Sequence, residues 1–311
     1  MTTLNCREQA VAFPCASDTL LGVLAEPADS TQADTGIVIV VGGPQYRAGS
    51  HRQFTLLARG TATAGYPTLR FDCRGMGDSS GEPRSFEDVS ADISAAIDAL
   101  QSRLPTVKRI VLWGLCDGAS ASLIYLCETQ DPRVRGLCLA NPWIRSEQSL
   151  ARTQVRHYYL RRLLLADFWR KVLRGGVGLR AVRELTISLK LALSSRSTRG
   201  SVGEVAAADF RQRMLDGLNA FAGPVLVPLS ADDYTAKEFA DFTRMHDDWQ
   251  AALQRADTVL LNMKEADHTF SEAGSQHRLL ECFTQWLNQN FVTHTVRIKT
   301  NPASELKVVP Q

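Results

Sequence analysis

Apolar positions along this chain gather into short continuous runs rather than a strict in–out alternation. The runs are Thr19–Ala25, Ile37–Val41, Pro67–Phe71, Ile110–Trp113, Leu137–Ala140, Val225–Leu229 and Thr258–Met263. Between them, apolar residues recur at helical spacing over Arg52–Ala64, Phe86–Leu100, Ala119–Cys127, Lys237–Arg255 and Gln276–Asn290. Strands that are apolar throughout are buried on both faces, and helices between them supply the covering layers. The pattern therefore predicts an α/β fold with a mostly parallel sheet. Such sheets bind ligands beyond the carboxyl ends of their strands, so the loops after each run are where chemistry is expected.

One stretch departs from this rhythm. From residue 145 to residue 220 the helical patterns continue but no strand-like run occurs, and Gly175-Gly176 divides them. This reads as a helical lid inserted into a core made of residues 1–144 and 221–311. Composition sharpens the picture locally. The whole chain of 311 residues is nearly neutral, at +2, yet between Arg145 and Arg199 thirteen Lys/Arg oppose three Asp/Glu, a local net charge of +10. With Tyr158, Tyr159, Phe168 and Trp169 interleaved, residues 145–199 read as a basic amphipathic surface suited to an anionic membrane or polysaccharide. The competing reading is a lid packed by its apolar face on the core, its arginines solvated.

The near-neutral total gives no argument for a nucleic-acid partner. Residues 1–8 have neither the basic start nor the apolar run of a signal peptide, and no run approaches a membrane span. Seven scattered cysteines without a Cys-x-x-Cys pair suggest neither a disulfide framework nor a zinc site, and no cofactor motif is present. A cytoplasmic protein, at most peripheral to an inner membrane, is the expectation.

The chemistry concentrates after the fourth run. Val111-Leu112-Trp113 leads into Gly114-Leu115-Cys116-Asp117-Gly118 and then a helix of small residues. A nucleophile between flanking glycines, at a tight strand-to-helix turn, is the pattern of a nucleophile elbow, here with cysteine in the serine position. The helix start behind it favours a thiolate, and the N–H of Asp117 would face a developing oxyanion. Gly77-Asp78-Ser79-Ser80-Gly81 has similar spacing, but no apolar strand precedes it and no helix follows. It reads as a loop. A base and an acid are then needed, in the chain order nucleophile, acid, histidine. Asp232 and Asp233 follow the run ending at Leu229, and His268 follows the run ending at Met263. Asp233 is the preferred acid, with Asp232 and Asp267 as alternatives. Gly42-Gly43-Pro44-Gln45 follows the second run. Since Pro44 has no N–H, Gly43 or Gln45 would give the second oxyanion donor, with Gly43 preferred. Gln45, Tyr46 and Arg47 lie near the expected mouth as substrate contacts.

Taken together, Phe71-Asp72-Cys73-Arg74-Gly75-Met76-Gly77-Asp78-Ser79-Ser80-Gly81, Gly42-Gly43, the Cys116 elbow, Asp233 and His268 resemble the α/β-hydrolases, over residues 19 to 290 or so. A cysteine elbow is similar to that of dienelactone hydrolase, although the second trailing glycine of that enzyme is absent. Gly42–Arg47, Gly49–Phe54, Gly114–Asp117 and Thr235–Phe239 more closely resemble the exosortase A system-associated hydrolase 1 family. That resemblance implies a setting in bacterial exopolysaccharide and protein-sorting systems. A cysteine hydrolase of a small or lipid-linked ester or thioester is expected, with an acyltransferase or a non-catalytic scaffold as the competing readings.

Overall fold

A computed structural model describes residues 6–28, 33–43, 45–144 and 202–291. The basic stretch 145–199 and Pro44 lie outside the described residues. Among the described residues, eight strands form one sheet: β1 (Cys6–Cys15), β2 (Asp18–Pro27), β3 (Thr35–Val40), β4 (Thr68–Phe71), β5 (Arg109–Leu115), β6 (Val134–Ala140), β7 (Val225–Ser230) and β8 (Thr258–Met263), in the order β1-β2-β4-β3-β5-β6-β7-β8. β1 and β2 are antiparallel, β2 also pairs antiparallel with β4, and every pair from β4 through β8 is parallel. This is the expected α/β-hydrolase arrangement.

Alternate residues of the central strands enter two separate cores. On one face Val38, Val40, Ile110, Leu112, Leu137, Leu139, Val225 and Val227 pack with α2 (Ser90–Arg103), α3 (Asp117–Thr129) and α4 (Val202–Ala220). On the other face Ile37, Ile39, Val111, Trp113, Cys138 and Leu226 pack with α1 (Gln53–Thr63) and α7 (Ala273–Phe291). That two-sided burial is why these strands read as unbroken apolar runs.

Three details differ from the pattern-based reading. β1 extends the sheet by one strand before Thr19; its side chains enter the core only at Val11, Phe13 and Cys15, and the polar stretch before them hides the strand. The helix expected over Lys237–Arg255 is two helices, α5 (Tyr234–Met245) and α6 (Asp247–Leu253), divided at His246, whose φ of −126° and ψ of 110° are extended. Within the expected insertion 145–220, the C-terminal part of α4 is built into the core: Phe210, Met214, Leu215 and Leu218 are buried there, and a Cβ on Gly217 would lie 2.0 Å from Leu123 O.

The loop after β4 is held by ions rather than apolar contact. Asp72, fully buried, accepts from the N–H groups of Arg47 and Asp78 and from the Arg47 guanidinium. Arg74 pairs with the buried Asp92 of α2 at 2.7 Å. Removing one partner of such a pair costs roughly 3–5 kcal/mol. No helix among the described residues is long and apolar enough to cross a membrane.

Candidate active site

Cys116 stands between β5 and α3 with φ 59° and ψ −124°. A side chain at positive φ costs about 1–3 kcal/mol and persists only where its surroundings impose it. Here they do. The N–H of Cys116 donates to Ala140 O at 2.9 Å, and its carbonyl accepts from Trp143 N–H at 3.1 Å and from Ala119 N–H at 3.1 Å. The flanking glycines are required by close backbone approach. A Cβ on Gly114 would lie 2.5 Å from Ala119 N, and one on Gly118 would lie 2.3 Å from Val40 O.

His268 and Asp233 come from the loops after β8 and β7. His268 Nδ1 lies 2.8 Å from Asp233 Oδ2. Asp233 also accepts from the N–H groups of Thr235 at 3.1 Å and Ala236 at 3.0 Å, which makes it the N-cap of α5. Of the acids weighed from the sequence, Asp267 instead bonds Ser271, and the N–H of Asp232 donates to Ala266 O. The Cys116 side chain also lies close enough to the imidazole to bear on its charge. Burial works against the charged imidazole, but the bonds to Asp233 and Cys116 and their charges outweigh it and raise the pKa of His268 to about 10. The direction of that shift favours the protonated ring.

The expected oxyanion donors have an unexpected neighbour. The amides of Gly43, Asp117 and Gly118 face the side-chain carboxyl of Asp117 and pull its pKa down, but burial is the larger influence and the net direction is upward. No hydrogen bond of good geometry reaches its buried Oδ1. Gly42 is glycine for this reason: a Cβ there would lie 2.0 Å from Asp117 Oδ1, 2.4 Å from Gly118 N and 2.7 Å from Leu115 O. Gly43 has φ 64°, the left-handed region.

The expected substrate contacts are partly engaged elsewhere. Arg47 is paired with Asp72 and Asp78, and Gln45 Oε1 accepts from Ser50 N–H at 3.4 Å. Tyr46 is exposed. In the Gly77–Gly81 loop, Ser79 Oγ donates to Asp72 O at 2.7 Å and accepts from Leu21 N–H at 2.9 Å, so this serine anchors a loop. Asn141 escapes the pattern-based reading although it binds the site. Fully buried after β6, it bonds both Ser230 and the carbonyl of His268. A polar residue placed at the end of an apolar run was the available signal.

Residues 32–197 match the model of the family described as serine aminopeptidase, S33. The matched part contains the Cys116 elbow but neither Asp233 nor His268. A search of curated proteins returns no match. Solved structures with this fold include the Pyrococcus furiosus esterase Pf2001, 16% identical over 93% of this chain and 95% of that one, with a TM-score of 0.61. Est1E from Butyrivibrio proteoclasticus, solved with ferulic acid bound, is 15% identical over 90% of this chain and 99% of its own, with a TM-score of 0.59. A dienelactone hydrolase from Anabaena variabilis is 16% identical over 93% of this chain and all of its own (100%), with a TM-score of 0.57.

Proposed function

The chain belongs to the serine aminopeptidase S33 family of α/β-hydrolases, and from that premise we propose that it is a cysteine hydrolase of esters or thioesters, working through Cys116, His268 and Asp233. The observation that carries this reading is the imidazole of His268, bonded to Asp233 and set beside the elbow sulfur of Cys116. The sulfur attacks the acyl carbonyl, a C–S bond forms, and the carbonyl electron pair moves to oxygen near the start of α3. As the tetrahedral intermediate collapses, His268 gives its proton to the departing alcohol or thiol. Water then attacks the acyl-enzyme, His268 takes a proton from it, and the carboxylic acid leaves with the Cys116 sulfur restored.

An activated acyl group suits a sulfur nucleophile, which favours thioesters and activated esters over amides. The esterases sharing the fold support the same bond class. The resemblance to exosortase-associated hydrolases supports an acyl substrate from exopolysaccharide assembly, and the basic stretch 145–199 is proposed to meet its anionic part. The test is single-turnover acylation with p-nitrophenyl acetate and an acetyl thioester, read by mass spectrometry. A transient acetyl adduct on Cys116, trapped by acid quench and absent in Cys116→Ala, is expected. Equal turnover by both proteins would overturn the reading.

A further inference from the structure

The last residue of β6 and the three after it, Ala140 to Trp143, hold both members of the thiol–imidazole pair. On one side they grip the nucleophile, through Cys116 N–H to Ala140 O and Trp143 N–H to Cys116 O. Ser120 Oγ of α3 donates to Trp143 O at 2.6 Å and fixes that grip. On the other side Asn141 Nδ2 donates to His268 O at 3.0 Å and to Ser230 Oγ at 2.9 Å, while its Oδ1 accepts from Ser230 N–H at 2.8 Å. Its own N–H donates to Pro228 O at 3.0 Å. Both amide protons are spent, and one is spent on the backbone of the base itself.

The sheet gives this amide an outsized task. β6 and β7 pair at only two positions, Leu137 with Val225 and Cys138 with Leu226, whereas β7 and β8 pair at six. Cys116 lies on the β6 side of that short ladder, and Asp233 and His268 lie on the β7 side. Asn141 continues the join beyond the last paired residues to the level of the site. Its backbone is held at φ 44°, a left-handed conformation that asparagine tolerates better than most residues.

We propose that Asn141 is a positioning residue: by tying the carbonyl of His268 to the strand end that also grips Cys116, it sets the imidazole at bonding distance from the sulfur. This rests on the reading of Cys116 and His268 as the reacting pair. The side chain must be an amide of this length. A carboxylate in its place has the same shape but offers no proton to His268 O, and that carbonyl cannot supply one.

Asn141→Asp deletes that bond with little change of shape, and Asn141→Gly keeps the left-handed backbone while removing the whole side chain. Ser230→Ala serves as the control, since it weakens the same buried network without touching the bond to His268. Three readouts are compared in the full chain: the NMR titration of the His268 ring, the rate of Cys116 alkylation by iodoacetamide, and the thermal midpoint. In the wild type the ring is expected to titrate well above the ordinary histidine value. In folded Asn141→Gly it moves toward the ordinary histidine value, and in either folded Asn141 variant alkylation slows at least about tenfold and turnover falls up to about 10²-fold with KM unchanged, as for a small misplacement of a catalytic group. Ser230→Ala lowers the thermal midpoint but keeps the wild-type titration and alkylation. An Asn141 variant that folds and keeps both wild-type values overturns the proposal. If the wild-type ring titrates as an ordinary histidine, and Cys116→Ala leaves it there, the thiol–imidazole pair itself fails, and the hydrolase reading with it.

Discussion

One carboxylate serves two elements: Asp233 receives the imidazole of His268 at 2.8 Å and, with the same side chain, caps α5 through the N–H groups of Thr235 and Ala236. The two duties separate by substitution. Asparagine caps a helix about as well as aspartate, whereas alanine costs about 1 kcal/mol at such a position. Asp233→Asn is therefore expected to keep the α5 cap, so that its thermal midpoint meets the wild type's only above about pH 10, where the stabilisation from His268 is gone, while losing up to about 10⁴-fold in turnover, the scale of removing the charge behind a catalytic histidine. Asp233→Ala should lose both. Turnover within tenfold of wild type in Asp233→Asn would assign this residue to the helix alone.

The raised pKa of His268 makes stability depend on pH in one direction. Its folded value, about 10, lies above the ordinary 6.5. The folded state therefore binds the proton more tightly, and the stabilisation is complete below about pH 6.5 and lost as pH rises through about 10. The difference in thermal midpoint between wild type and His268→Gln should be largest at acid and neutral pH and shrink toward pH 10. A difference that grows with pH would contradict an imidazolium at this position.

Among the seven cysteines, burial pushes the thiols of Cys15, Cys73, Cys138 and Cys282 up. Cys116 is partly exposed and stands beside His268. Substoichiometric iodoacetamide at neutral pH is expected to mark Cys116 first, as peptide mapping would show. Labelling of Cys73 or Cys138 at a similar rate would mean that the fold had opened or that the pair is absent.

Two glycines make a contrasting pair. Gly42→Ala places a methyl 2.4 Å from Gly118 N and 2.7 Å from Leu115 O, backbone atoms that cannot step aside. It should abolish turnover, with destabilisation on the order of 1–3 kcal/mol or more, the usual cost of overpacking. Gly274, in the first turn of α7, has nothing within 4 Å of an added Cβ. Gly274→Ala should raise stability by roughly 0.4–1 kcal/mol at unchanged activity. Thermal melts of the two variants decide both.

All seven expected strands are present, and the central ones were legible in the chain because burial on both faces leaves continuous apolar runs. Cys116, Asp233 and His268 could be named because each lies just beyond such a run, and the structure brings these three side chains together. Other features were hidden for physical reasons. β1 escaped because Arg7, Glu8, Gln9 and Ala10 are exposed at the sheet edge, so half the strand carries no apolar signal. The break at His246 is a change of backbone angle inside an otherwise helical pattern. Arg47 looked like a substrate contact because its partners Asp72 and Asp78 lie 25 and 31 residues away. Asn141 acts through bonds to residues 89 and 127 positions distant. The carboxyl of Asp117 beside the Gly42–Gly43 turn is likewise a meeting of separate loops.

The two-residue ladder between β6 and β7 also has a meaning for how the molecule opens. Amide hydrogen exchange resolves proteins into units that open separately, and a seam with few backbone bonds opens at lower free energy than the sheet on either side. Here the seam runs between the sulfur and its proton partner. Warming or mild denaturant would thus part the two reactants while each half-sheet still held its own bonds, so inactivation would precede global unfolding. The lifetime of activity would then follow this narrow joint between β6 and β7 rather than the depth of the core.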